Sequence, residues 1–217
     1  AGGLGVRLWP LSRRSYPKQF SSIIGDNTLF QQAALRLTSS EFINFEPLIT
    51  LTNSDFRFTI NEQLRDIGID QGQIIIEPEP KNTAPAILTA SLYLFKKDPE
   101  AIVLVAPSDH LIPDKIAFHR SIKSGLELVS NDKTVTFGVT PIHPETGYGY
   151  LELKISKKNK DNTSVVNKFI EKPKYKKALE MLDAGNYLWN AGIFLFKAKE
   201  MITSFKNLHP KTYKLTT

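Results

Sequence analysis

Three glycines crowd the start of the chain in Gly2-Gly3-Leu4-Gly5, with Arg7 two positions on and Lys18 in Pro17-Lys18-Gln19. Backbone without a Cβ lets phosphate oxygens approach its N–H groups, and Arg7 adds a planar, permanently charged fork, so this run could cradle a phosphate. A tight surface turn accounts for the glycines equally well. The spacing fits neither G-x-x-x-x-G-K-[ST] nor G-x-G-x-x-G. Farther on, Ser108-Asp109-His110 follows the apolar stretch from Ile102 to Ala106. A carboxylate there suits Mg²⁺, which takes oxygen ligands and shares them with substrate phosphates; the same residue could simply cap the next turn. His110 is read as packing or hydrogen-bonding beside such a site, not as a general base.

Four other groups carry polar chemistry. Glu171-Lys172-Pro173 closes a strand in which alternation puts the Glu171 and Lys172 side chains on opposite faces unless the proline bends the chain, and a surface ion pair is the plain alternative. Gly147 and Gly149 flank Tyr148, which exposes backbone amides to a ligand or merely turns the chain into a strand. Asn190 and Gly192 sit in an aromatic, apolar strand where a buried amide needs partners. Trp189, Phe194 and Phe196 are read as core. Glu77, Asn82 and Thr83 precede a helix that Asn82 or Thr83 could cap.

The elements that must position these residues follow from periodicity. Pro47 to Thr52, Gln73 to Glu77, Ala101 to Ala106 and Thr134 to Val139 read as strands. Between them, Ser54 or Asp55 can cap a helix that Gly68 ends, Thr83 with Pro85 can open a second, and Asp114 can open a third reaching about Ser130. This βαβ alternation predicts an α/β fold with an open, mixed, mainly parallel sheet, helices on both faces and ligands at the carboxyl ends of the strands. After Pro141 shorter strands (Tyr148 to Ile155, Val165 to Ile170, Tyr187 to Phe196) and a helix near Lys174 to Leu182, closed by Gly185, predict a smaller antiparallel subregion at about 141–200. A glycine-rich loop of this kind normally hangs from a buried strand, so a first strand is expected ahead of Ala1.

The 217 residues, 41% hydrophobic and 23% charged, suit a single globular domain. No apolar run approaches the ~18 residues of a membrane helix and no signal peptide is legible, so a cytoplasmic location is the expectation. With no cysteine, any metal must be held by oxygen or imidazole. The net charge of +6 is compatible with nucleic acid, an acidic surface or a small polyanion. Lysines concentrate between Lys154 and Lys177, where Ser156 to Ser164 reads as a solvated hairpin loop, and the interleaved basic and aromatic pattern of a nucleic-acid surface is missing.

The run from Gly2 to Phe20, GGLGVRLWPLSRRSYPKQF, resembles the signature of the sugar-phosphate nucleotidyltransferases, and its LWPLS and PKQF portions are similar to the mannose-1-phosphate guanylyltransferase branch. Five more blocks resemble that family in order: Glu77-Pro78 with Asn82-Thr83-Ala84-Pro85-Ala86, Pro107-Ser108-Asp109-His110, Gly147-Tyr148-Gly149-Tyr150, Phe169-Ile170-Glu171-Lys172-Pro173, and Trp189-Asn190-Ala191-Gly192-Ile193-Phe194. One departure is Val6, where the family usually has Ser or Thr.

The resemblance implies a Rossmann-like nucleotide-diphospho-sugar transferase fold, here lacking its first strand and C-terminal part. It implies GTP and mannose 1-phosphate as partners, Mg²⁺ as cofactor, and neither nucleic acid nor membrane; homo-oligomerisation stays open. Arg7, Lys18 and Asp109 would be catalytic, with Asp109 on the metal and a second metal carboxylate beyond the last block. Gly2, Gly3, Leu4, Gly5, Arg7, Glu77, Asn82, Thr83 and Ser108 would bind the nucleotide. Gly147, Tyr148, Gly149, Glu171, Lys172, Asn190 and Gly192 would bind the sugar phosphate. Many relatives of this branch carry a C-terminal cupin-like domain with mannose-6-phosphate isomerase activity, which nothing in these residues could supply. Another nucleotide and sugar pair, or a non-catalytic nucleotide-sugar sensor, are the rival expectations.

Overall fold

The computed structural model describes residues 16–79, 83–154 and 163–216. Helix α1 (Leu29–Arg36) opens on a reciprocal cap: Gln31 N donates to Thr28 Oγ1 (3.1 Å) and Thr28 N donates to Gln31 Oε1 (3.0 Å). This T-x-x-Q signature was legible, yet periodicity alone points to no helix there. The Thr28 hydroxyl donates to Gln63 Oε1 (2.7 Å) on α2 (Arg57–Asp66), and Gln63 Nε2 donates to the Phe20 carbonyl (3.1 Å). Buried polar atoms are thus paired with one another, and the pairing locks α1 onto α2. Strands β1 (Ile49–Thr52) and β2 (Gln73–Ile76) pair in parallel, and Phe20, Phe30, Phe56, Ile60 and Leu64 form the adjoining core. Neither Ser54 nor Asp55 caps α2. A 3₁₀ turn (Ser54–Phe56) precedes it, and Asn53 Oδ1 takes the Asp55 N–H (3.1 Å), because the tighter turn moves the free N–H groups one residue earlier.

Five strands make the second sheet: β3 (Ile102–Val105), β4 (Val135–Val139), β5 (Tyr150–Leu153), β6 (Val166–Ile170) and β7 (Tyr187–Lys197). The long β7 is its spine. Leu195 pairs with both Leu104 and Val135, and Trp189 with both Val139 and Tyr150. A residue can have two partners only across opposite edges, so β4 lines one edge of β7 while β3 and β5 share the other. Between β3 and β5 that edge is open at 191–193. All pairings in this sheet are antiparallel, so among the described residues the parallel share is the β1–β2 pair, smaller than the βαβ pattern predicts. The cause is β7, which enters between β3 and β4 in the reverse direction.

Helices cover both faces, as the alternation predicts. Ile193 and Leu195 pack with Phe118, Ile122 and Val129 of α4 (Lys115–Ser130), whereas Phe194 and Phe196 face Ile87 and Leu94 of α3 (Thr83–Lys97) and Met201 of α6 (Ala198–Leu208). Asp114 caps α4 through the Ala117 N–H (2.8 Å). Helix α5 (Tyr175–Ala184), closed by Gly185 at φ +70°, packs Ala178 and Met181 on Tyr150 and Trp189. Helix α7 (Pro210–Thr216) follows α6.

Where β7 meets α6, Lys197 Nζ lies 2.7 Å from Asp132 Oδ1 and 3.6 Å from Glu100 Oε2, and Lys199 Nζ 2.6 Å from Glu100 Oε1. The hydrogen bond from Lys199 holds the Glu100 carboxyl below its ordinary 4.5, and that from Lys197 holds Asp132 below 3.8. Carboxyls depressed in the folded state contribute stability above their unfolded values and lose it as pH falls through their folded ones. Lys197→Met should therefore lower the melting temperature at pH 7, with the gap to wild type closing below about pH 4. A gap that persists at pH 2.5 would assign the loss to packing of the lysine stem.

Candidate active site

Lys18 ends its loop in a 3₁₀ turn (Lys18–Phe20), and Asp109 lies on the connection from β3 to α4. Their side chains meet: Lys18 Nζ is 2.7 Å from Asp109 Oδ2, each about one-third exposed. The pair is reachable by solvent and ligand. Pro107, two residues before Asp109, rests against the open edge of β7, where a Cβ on Gly192 would stand 3.7 Å from its ring. Gly192 is in the left-handed region at φ +64°, and its N–H donates to Asn190 Oδ1 (3.1 Å), which also accepts from the Thr136 hydroxyl (3.3 Å). Asn190 is half-buried rather than buried, and its Oδ1 is satisfied inside the protein.

From Asn190 the contacts continue outward. Its N–H donates to the Gly149 carbonyl (2.8 Å). A Cβ on Gly149 would come within 2.6 Å of Phe169 Cζ and 3.2 Å of Glu171 Oε2, so only glycine lets β6 and its carboxylate lie this close. Glu171 Oε1 in turn pairs with Lys172 Nζ at 2.9 Å, both more than half exposed. Strict alternation would have put these two on opposite faces. Lys172 instead takes φ +40° ahead of buried Pro173, and that left-handed turn swings its side chain back toward Glu171.

The β4–β5 connection completes this end. Gly147 N donates to Glu145 Oε1 (2.7 Å), and the buried Tyr150 hydroxyl donates to the Glu145 carbonyl (2.8 Å). Glu145 was not singled out by the sequence, although a carboxylate two residues before a glycine is an Asx-like turn signal. Tyr148 lies edge-on to Trp189 at 5.4 Å and is half exposed, while Trp189, Phe194 and Phe196 are core as read.

Burial is the main cause that pushes the His110 imidazole below its ordinary value; Asp109 opposes the shift, and Arg36 and Lys18 add to it. Ser108 is half-buried between Pro107 and Asp109. Glu77 follows β2, its N–H on the Thr52 carbonyl (2.7 Å), and exposed Thr83 starts α3. Among the described residues no hydrogen bond or ion pair joins either to the Lys18–Asp109 pair. Gly2, Gly3, Leu4, Gly5, Arg7 and Asn82, with positions 155–162 of the lysine-rich loop, lie outside the described residues.

No group of three or more metal-ligating side chains occurs among the described residues. A cation here would take Asp109 and share oxygens with bound phosphates, a donor set that suits Mg²⁺ rather than a closed zinc cage. No helix among the described residues is long and apolar enough to cross a membrane.

The chain is 41% identical to mannose-1-phosphate guanylyltransferase 2 of Escherichia coli O157:H7 over 99% of its length, and 39% identical to the alginate biosynthesis protein AlgA of Pseudomonas syringae over 98%. It spans less than half of these curated relatives, 45% and 44%. Among solved structures, mannose-1-phosphate geranyltransferase from Thermus thermophilus superposes with a TM-score of 0.84 at 30% identity, over 99% of this chain and 61% of that one. The nucleotidyl transferase family matches residues 1–217. The match over the whole chain and the 41% identity, with the α/β scaffold, mean that the chain belongs to the nucleotidyl transferase family.

Proposed function

We propose that this domain transfers GMP from GTP to mannose 1-phosphate with Mg²⁺, giving GDP-mannose and pyrophosphate. A phosphate oxygen of mannose 1-phosphate forms the new bond to the α-phosphorus of GTP. The bond from that phosphorus to the bridging oxygen breaks, and pyrophosphate leaves with the electron pair. Two polyanions must meet, so positioning and charge neutralisation are the main tasks and no side-chain nucleophile is needed.

The observation that carries this reading is a series of neighbours that leads from the Lys18–Asp109 pair, by way of Pro107 two residues earlier and Gly192 close to its ring, to Asn190, Gly149 and the Glu171–Lys172 pair. It has an ammonium at each end, one for each anion. Lys18 and Arg7 neutralise nucleotide phosphates over the backbone of Gly2, Gly3, Leu4 and Gly5, and Ser108 lies alongside. Asp109 holds the Mg²⁺, which when bound offsets charge on the reacting phosphates. Lys172 neutralises the sugar phosphate. Glu171 accepts from sugar hydroxyls, with Gly147, Tyr148, Gly149, Asn190 and Gly192 shaping the sugar pocket. Glu77, Asn82 and Thr83 contact base or ribose. The name of the Escherichia coli relative, mannose-1-phosphate guanylyltransferase 2, favours guanine and mannose.

Pyrophosphate release measured for four NTPs crossed with several sugar 1-phosphates tests the proposal on the full-length protein. GTP with mannose 1-phosphate should be the best pair. Preference for UTP or dTTP with glucose 1-phosphate would overturn the substrate assignment, and no release with any pair would overturn the transfer reaction.

A further inference from the structure

Behind the Asp109 turn lies a buried cation with no anionic partner among the described residues. Arg36, the last residue of α1, is 5% exposed and makes no salt bridge among the described residues. One terminal nitrogen donates to the His110 carbonyl at a long 3.4 Å, the guanidinium lies 5.6 Å from the Phe118 ring centroid, and Nε is buried with no partner. Burial pushes this guanidinium below its ordinary value. Water has been stripped from a charge whose return is one carbonyl and one aromatic face, a poor arrangement for stability alone.

The base of this side chain is held firmly. The Arg36 carbonyl, left over at the end of α1, can only accept, so His119 Nε2 donates to it (2.7 Å). His119 Nδ1 then accepts from the Ser40 hydroxyl (2.7 Å), whose oxygen takes the Phe42 N–H (3.2 Å). Lys115 adds a bond to the Thr38 hydroxyl. The end of α1 is thus latched to the start of α4, and the Asp109–His110 turn spans the gap between β3 and that same helix.

We propose that Arg36 is a positioning residue: its guanidinium, fixed behind the cleft, grips the His110 carbonyl and so sets where the Asp109 carboxylate points. The inference rests on the reading of Asp109 as the metal carboxylate. Two effects of Arg36 on metal binding oppose each other. Its positive charge repels a cation, whereas its grip on the turn preorganises the ligand. Partners hydrogen-bonded directly to a metal ligand are typically worth 10- to 100-fold in metal affinity; Arg36 acts one residue removed, through the His110 carbonyl, so the lower end of that range is expected and the grip outweighs the repulsion.

Mn²⁺ binding to the free full-length protein, followed by electron paramagnetic resonance, and melting temperature together test this. Arg36→Met should weaken Mn²⁺ binding by about tenfold. Arg36→Lys keeps the charge but replaces the rigid fork, and should fall between Arg36→Met and wild type. Ser40→Ala, which loosens the latch at the base of Arg36 but leaves the guanidinium in place, should lower the melting temperature and weaken Mn²⁺ binding less than Arg36→Met does. Unchanged or tighter Mn²⁺ binding in Arg36→Met overturns the inference. If that variant does not fold, wild-type affinity in Arg36→Lys does the same. Asp109→Asn separates the two readings: if it too binds Mn²⁺ normally, the metal role of Asp109 fails first and Arg36 falls with it.

Discussion

Asp109→Asn should lower turnover on the order of a hundredfold or more while leaving the fold nearly as stable as wild type. The substitution keeps size and hydrogen-bonding shape and removes only the charge. A residue that merely capped a helix would behave differently, with about 1 kcal/mol of stability lost and the folded fraction still active. That alternative is weakened here because the cap of α4 is Asp114, through the Ala117 N–H. The partner of Asp109 among the described residues is Lys18, and a pair one-third exposed contributes at most about 1 kcal/mol. Melting temperature and Mg²⁺-dependent pyrophosphate release on the same sample decide the matter. Full activity at saturating Mg²⁺ would end the metal-ligand hypothesis.

Lys18→Met should move two measurements in opposite directions. Turnover falls about a hundredfold, because a charge aimed at the phosphates of the transition state is lost. Mn²⁺ binding to the free protein, by contrast, tightens by up to about fivefold, the equivalent of ~1 kcal/mol from a partly solvated pair. The reason is geometric. At 2.7 Å from Asp109 Oδ2, the ammonium would compete with a metal for the negative charge of the carboxylate. Retained turnover would remove Lys18 from the catalytic set. Weaker Mn²⁺ binding would mean that Lys18 orients Asp109 instead of competing for it.

Local chemistry made much of this protein legible in one dimension. β-branched runs marked the strands, Asp114 marked the start of α4 and Gly185 the end of α5, and the blocks around Lys18, Asp109, Gly149, Glu171 and Asn190 marked candidate site residues through their resemblance to a family. The T-x-x-Q cap of α1 was equally local and simply went unread. Other features carry no local signature. The direction of β7 between β3 and β4 depends on pairing between residues 50 to 95 positions apart, and each of its neighbours would read as the same strand in either orientation. The turn that brings Lys172 back to Glu171 depends on Pro173 being buried. Arg36 reads as an ordinary basic residue in the last turn of a helix, because only packing α1 against α4 and the Asp109 turn takes it out of water. Residue type and spacing by themselves therefore determined most strands and the capped helices α4 and α5, and they narrowed the side chains able to handle phosphate and metal to a few candidates. Tertiary structure alone decided which of them touch, because strand order, burial and ion pairing are set by contacts between residues distant in sequence.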